Sequence, residues 1–141
     1  MVCTFFGHRD APEDIRETLF QVIMGLIEKG GVSTFYFGNQ GRFDVIVAGE
    51  LKKIKKLYPH IDCVCVLAYL PTQRIESDYE TILPDGIEFV PKKFAITYRN
   101  RWMVNQSDYV VGYAIRSIGG ATKFMNYAKR IGKNVINLAD N

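Results

Sequence analysis

Residues 34 to 51 constrain this chain more than any other stretch. Thr34-Phe35-Tyr36-Phe37 is β-branched and aromatic, the composition of a buried strand. Gly38 ends the run and Gly41 follows within the same loop, Gly38-Asn39-Gln40-Gly41. Phe43, Val47, Leu51, Ile54 and Tyr58 then recur at three- and four-residue spacing, one face of a helix. Strand, glycine loop and helix in that order leave free backbone N–H groups at a positively polarised helix start, where an anion or a polar ligand can sit. Glycine lets the backbone turn sharply and approach a ligand with no side chain in the way. Asp44, in the first helical turn, either caps the helix or accepts a ligand hydroxyl.

The same alternation runs through the whole chain. Val2 to Phe6 reads as a short apolar strand, broken by Gly7-His8-Arg9-Asp10. Pro12, Glu13 and Asp14 open a helix whose stripe is Ile15, Leu19, Val22, Ile23, Leu26 and Ile27, and Gly30-Gly31 closes it. Pro59 ends the second helix, and Ile61 to Leu70 is a continuous apolar run expected as a strand covered on both faces. Residues 71 to 84 are more polar and are expected as a loop with a short helical piece, and Gly86 to Val90 as another short strand. A helix carrying Phe94, Tyr98, Trp102 and Met103 is expected over 93–106, then a strand over Tyr109 to Tyr113. Gly119-Gly120 leads into a helix with Ala121, Phe124, Met125, Ala128 and Ile131 on one face, and Asn134 to Leu138 is a last strand. Strands alternating with helices at this spacing predict an α/β fold, a mostly parallel sheet with helices on both sides.

Length and composition narrow the class. At 141 residues the chain is expected to form one domain with a proper core, and its 48% hydrophobic and 23% charged residues are ordinary for a globular protein. No apolar run reaches the ~20 residues that span a bilayer, and the N-terminus shows no signal-peptide pattern. Three cysteines argue against a disulfide framework, and no His or Cys cluster completes a metal site. A reduced, cytoplasmic setting with no metal and no cofactor is expected. The net charge of +3 does not by itself imply nucleic acid. The dense basic run Lys52-Lys53-Ile54-Lys55-Lys56 falls on the polar side of the second helix, as a solvated face does.

In open α/β sheets ligands bind beyond the carboxyl ends of the strands. Here those ends carry Gly7-His8-Arg9, Gly38-Asn39-Gln40-Gly41, Tyr69 and Gly119-Gly120-Ala121-Thr122. Three of the four are glycine turns entering helices, and together they are expected to converge on one crevice. Arg9 suits a phosphate or pairs with Asp10 or Asp14. Gly119, Gly120 and Ala121 offer bare N–H groups, with the Thr122 hydroxyl beside them, or form only a flexible helix entry. Of Arg99 and Arg101, two apart on a helix, at most one faces the crevice, and Arg99 is favoured. Trp102 reads as core rather than as a stacking platform.

The order Phe-Phe-Gly-His-Arg (5–9), Gly-Asn-Gln-Gly-Arg-Phe-Asp (38–44), Arg-Asn-Arg-Trp-Met-Val-Asn-Gln-Ser-Asp (99–108) and Gly-Gly-Ala (119–121) before a final helix resembles the SLOG superfamily. That group includes small bacterial and phage proteins, the branch this chain most resembles, the DNA-processing protein A-like proteins, and the LOG cytokinin-nucleotide phosphoribohydrolases. The resemblance covers nearly the whole chain and is most specific at Gly7-His8-Arg9 and the Gly38–Asp44 loop. It implies a Rossmann-like three-layer sandwich that binds a nucleotide or nucleotide-derived ligand at the strand ends. The enzymatic LOG loop is Pro-Gly-Gly-x-Gly-Thr followed by a catalytic Glu. This chain has Ile118-Gly119-Gly120-Ala121-Thr122-Lys123, without the proline, the third glycine or the Glu.

Three functions follow as expectations. The first is a module that senses or sequesters a nucleotide-like small molecule. The second is hydrolysis of an N-glycosidic bond, for which Asp44 is the only well-placed carboxylate; Glu50 lies nearly two turns further down the helix. The third, single-stranded DNA binding, needs a basic stripe with interleaved aromatics, and Lys52–Lys56 lacks them, so nucleic acid is not the expected partner. The first turn also lacks the three-glycine dinucleotide fingerprint, so a nicotinamide oxidoreductase is not supported. With 8 Tyr and 9 Phe, some aromatics are expected at an interface of a homodimer or higher oligomer.

Overall fold

The computed structural model describes residues 1–70 and 79–140. Six strands form one sheet in the order β4-β3-β2-β1-β5-β6, and every neighbouring pair is parallel. The strands are β1 (Val2–Gly7), β2 (Thr34–Phe37), β3 (Asp62–Val66), β4 (Glu80–Ile82), β5 (Tyr109–Tyr113) and β6 (Asn134–Asn137). The helices are α1 (Arg16–Glu28), α2 (Arg42–Leu57), α3 (Lys92–Gln106) and α4 (Gly120–Arg130).

Period-two alternation in β1 sorts the two cores. Cys3 and Phe5 face a layer built with Leu19 and Ile23 of α1 and Ile46, Leu51 and Ile54 of α2. Phe6 faces the other layer, with Met103 and Val104 of α3 and Phe124, Met125 and Ala128 of α4. Helices therefore cover both faces, the three-layer Rossmann-like arrangement. No helix among the described residues is long and apolar enough to cross a membrane.

Four expectations change. Glu80–Ile82 is an edge strand, not part of a loop; it is only three residues long and largely exposed, so no alternating pattern marks it. The helical piece expected between 71 and 84 otherwise lies outside the described residues. The strand expected at Gly86–Val90 is instead a 3₁₀ turn, Ile87–Phe89, because Gly86 sits at φ +82° and the Ile87 N–H bonds back to the Pro84 carbonyl at 3.2 Å. The run from Ile61 is a strand only over Asp62–Val66, and at its far end Leu70 is exposed. The last strand stops at Asn137, with a 3₁₀ turn over Leu138–Asp140.

α3 also turns differently from its aromatic pattern. Its buried residues are Ala95, Arg99, Met103 and Val104, while Phe94 is exposed. An arginine thus stands in the buried row of a helix, and that side chain reaches the crevice.

Candidate functional site

The chain leaves β1 toward β2, β3 and β4 in succession, then returns through α3 to place β5 on the other side of β1. β1 and β5 thus flank the topological switch point. The chain after β1 leads to α1 on one face and the chain after β5 to α4 on the other, so a crevice opens between them. A cleft of ≈ 600 Å³ occupies that position, lined by Gly7, His8, Arg9, Gly38, Gln40, Asp44, Arg99, Gly119, Gly120 and Ala121, with Asp10, Asn100, Arg116 and Ile118 among the rest.

Beside it, two turns distant in sequence are fastened together. The Arg42 N–H donates to the Arg9 carbonyl at 2.9 Å. Gly41, at φ +87°, packs so closely that a Cβ there would stand 3.0 Å from the Arg9 Cα. Glycine is required here both by conformation and by space. Gly7 carries the same demand for space: a Cβ would fall 2.1 Å from the Phe43 ring, so the first residue of the turn lies directly over the start of α2.

His8 stitches β1 to β5. Its Nε2 accepts the Ile115 N–H at 2.9 Å, which fixes the neutral tautomer with the proton on Nδ1. Burial, then the nearby Arg116 charge, holds its pKa below the ordinary histidine value, against an opposing pull from Asp10. Its ring stands edge-on to Tyr113, centroids 5.9 Å apart. A second stitch crosses the mouth, where Arg116 Nη2 pairs with Asp10 Oδ2 at 2.7 Å.

Asp44 lines the same cleft, beside Gly38. Its Oδ2 accepts the Gln40 N–H at 2.7 Å, closing the glycine loop over the start of α2. Burial pushes its pKa up to about 6, while that hydrogen bond and the Arg99 charge act in the other direction. Arg99 is buried, and burial lowers its pKa against the attraction of Asp44. Its guanidinium donates to the Val66 carbonyl at 3.3 Å, Asn39 Oδ1 at 3.4 Å and Asn100 Oδ1 at 3.0 Å. A Cβ on Gly38 would stand 3.0 Å from Asp44 Oδ2 and 3.1 Å from Arg99 Nη1, so the bare backbone lets both groups converge. Neither Arg9 nor Arg99 forms an ion pair among the described residues.

The third glycine turn enters α4. Gly119, at φ +124°, precedes the helix, and Gly119, Gly120 and Ala121 present its N-terminus to the cleft. The Thr122 hydroxyl is used within the protein, donating to the Arg116 carbonyl at 2.6 Å, and Thr122, Asn39 and Gly41 do not line the cleft. Of the two α3 arginines, Arg99 lines it; Arg101 lies over the Tyr127 ring, and Trp102 packs on Tyr36. Glu50 is far from it, buried and paired with Arg16 at 3.2 Å and Lys53 at 3.0 Å. Asp10 and Arg116 are the charged lining residues that sequence reasoning did not place in the site. The only signal was an arginine just past a strand, with no glycine beside it.

The cleft thus offers cationic groups and helix N–H donors. Beside Arg99 stands Asp44, a carboxyl with no ion pair among the described residues. That set suits a phosphorylated, hydroxyl-bearing molecule. Among the described residues no group of His, Cys, Asp and Glu is arranged to hold a metal ion.

No family model matches the sequence, and no curated protein does. Among solved structures the chain is similar to DNA processing protein A (DprA) from Streptococcus pneumoniae, with 14% identity and a TM-score of 0.66. The alignment covers 94% of this chain and 48% of that one, so this chain spans about half the length of that protein. At that identity the likeness concerns the fold: the chain has the Rossmann-like α/β fold that DNA processing protein A also contains.

Proposed function

We propose that the cleft at the β1–β5 switch point binds a nucleotide or nucleotide-derived small molecule, as a sensing or sequestering module. The observation that carries this reading is the convergence of Arg9, Arg99 and Arg116 with the N-terminus of α4 around one ≈ 600 Å³ space. Arg9 is exposed and has no ion pair among the described residues, and Arg116 is held by Asp10 at the mouth, where an anion would compete for it. Asp44, in the same cleft, accepts a ribose hydroxyl. The SLOG resemblance supports the same ligand class, and membership of its small bacterial and phage branch is part of the proposal. A cytoplasmic homo-oligomer is part of the proposal.

A thermal-shift screen of nucleotides, sugar phosphates and cyclic nucleotides tests it, repeated on Arg9→Ala and Asp44→Ala. A ligand at a hundredfold excess over its dissociation constant stabilises the folded form by about 2.7 kcal/mol. Stabilisation by an intact nucleotide, lost in both variants, is the expected result. Recovery of free base and sugar phosphate would replace binding with N-glycosidic hydrolysis, Asp44 then being the acid–base group. No stabilisation by any compound would sink the reading.

Single-stranded DNA is the second reading, favoured by one observation: the similar solved protein is named for DNA processing, so the expectation against nucleic acid finds no support there. Oligonucleotide affinity that falls steeply with salt, in a protein indifferent to mononucleotides, would establish it.

A further inference from the structure

A second, smaller space adjoins the cleft at the ends of β2 and β3. It measures ≈ 220 Å³ and is walled by Phe37, Val45, Ala48, Cys65, Tyr79 and Thr81. Gly38 and Asp44 line both spaces, so the two meet across the same pair of residues. The chemistry changes across that boundary. The cleft side carries the arginines and the α4 N-terminus, whereas the small space is almost wholly apolar.

The walls are held in place by contacts of their own. The Tyr79 ring stands edge-on to Phe37, centroids 5.1 Å apart at 82°, and its hydroxyl donates to the Ala48 carbonyl at 2.7 Å. Burial, with Asp44 adding to it, pushes the Cys65 thiol up to about 11, so at neutral pH it is an uncharged, apolar wall group. A dry apolar cavity of about 150 Å³ accommodates a benzene ring. The space here is larger than that and sized for one flat ring system.

We propose that this space is the base subsite of the same ligand: a nucleoside monophosphate bound with its phosphate at Arg9, Arg116 and the α4 N-terminus, its ribose at Asp44, and its heterocycle between Phe37, Tyr79 and Val45. The order of chemistry along the wall matches the order of groups in the ligand. Anion-binding groups come first, then a hydroxyl acceptor, then an apolar slot with aromatic edges. Gly38 is the crossing point, where a side chain would press on Asp44 and Arg99. The inference rests on the nucleotide reading and adds to it which compartment selects the base.

Calorimetric titration of AMP, GMP, CMP, UMP and ribose 5-phosphate into the whole chain separates the two. The unmodified protein is expected to prefer its best nucleotide over ribose 5-phosphate by about tenfold or more. Ala48→Phe fills the slot, and Val45→Trp covers it from an exposed position. Each is expected to abolish the preference while leaving ribose 5-phosphate affinity unchanged. A preference that survives both substitutions and falls in Ile118→Ser would put the base in the main cleft and overturn the assignment. Equal loss of ribose 5-phosphate affinity in both would overturn it too, since the compartments would not be separable. If the unmodified protein binds the sugar phosphate and all nucleotides alike, the base subsite fails and the phosphate site stands; if it binds none of them, both fall.

Discussion

Asp44→Asn exposes a cost that the fold carries at its cleft. Burial raises this carboxyl from an ordinary 3.8 to about 6. A tenfold change in proton affinity is worth about 1.36 kcal/mol, so keeping Asp44 ionised destabilises the folded protein by about 2–3 kcal/mol at neutral pH. The sign follows from proton counting. Between pH 3.8 and about 6 the folded state holds more protons at this site than the unfolded chain, so stability falls as pH rises through that window. Asparagine keeps an oxygen for the Gln40 N–H, bonded at 2.7 Å in the parent, and carries no charge to desolvate. The variant is therefore expected to match the parent at about pH 4 and to exceed it by about 2–3 kcal/mol at about pH 7.5. For a chain of this size each kcal/mol moves the midpoint by roughly 2–4 °C. Urea unfolding of both proteins at the two pH values measures it, and equal m-values would show that the same surface is exposed. A stability difference that does not change with pH would refute the reasoning, because it would mean the carboxyl is not strained in the folded state. Ligand binding is expected to weaken in the same variant, a gain in stability alongside a loss of function.

Two further outcomes follow from the β1 turn. Gly7→Ala drives a methyl into the Phe43 ring, with contacts from 2.1 Å, and is expected to destabilise by about 1–3 kcal/mol; Phe43→Leu in the same chain should recover part of that loss in chemical denaturation. His8, whose pKa lies below the ordinary value, contributes stability that is present above pH 6.5 and lost as the pH falls through its lowered folded value, since the protonated ring cannot accept the Ile115 N–H. His8→Ala should cost about 1–3 kcal/mol at neutral pH and flatten the acid limb of the stability curve, and an Nε2-protonated tautomer in the parent's nitrogen NMR spectrum would contradict the assignment.

The elements legible in the sequence are those whose pattern is set by burial. The α1 stripe, Leu19, Ile23 and Leu26, and the α2 stripe, Phe43, Val47, Leu51 and Ile54, are buried as their spacing requires. β4 left no such trace, because an edge strand with one covered face and three residues has no period to display. Ile87–Phe89 looked like a strand because propensity registers apolar residues, whereas a left-handed Gly86 decides the local geometry. In the site, the glycine turns were readable because glycine marks backbone demands directly. Arg116 was not, since its place in the cleft depends on the β1–β5 pairing, a contact between distant residues that no local pattern records. Arg99 lies between these cases: helical spacing limited the choice to one of two arginines, and packing of α3 put that one in the buried row.

That distant pairing also bears on the order in which the molecule is assembled. The two stitches across the cleft, Ile115 to His8 and Arg116 to Asp10, join residues 107 and 106 positions apart, and Val2 reaches Asp108 over the same span. The β1–β2–β3 half can close early over short loops, but the cleft comes into existence only when β5 returns to β1 across most of the chain. Closing so long a loop is slow and entropically opposed until the pairing is made. The cleft is then expected to be the last part of the protein to form, and a molecule that bridges its two rims would act as a clasp on the slowest step of folding.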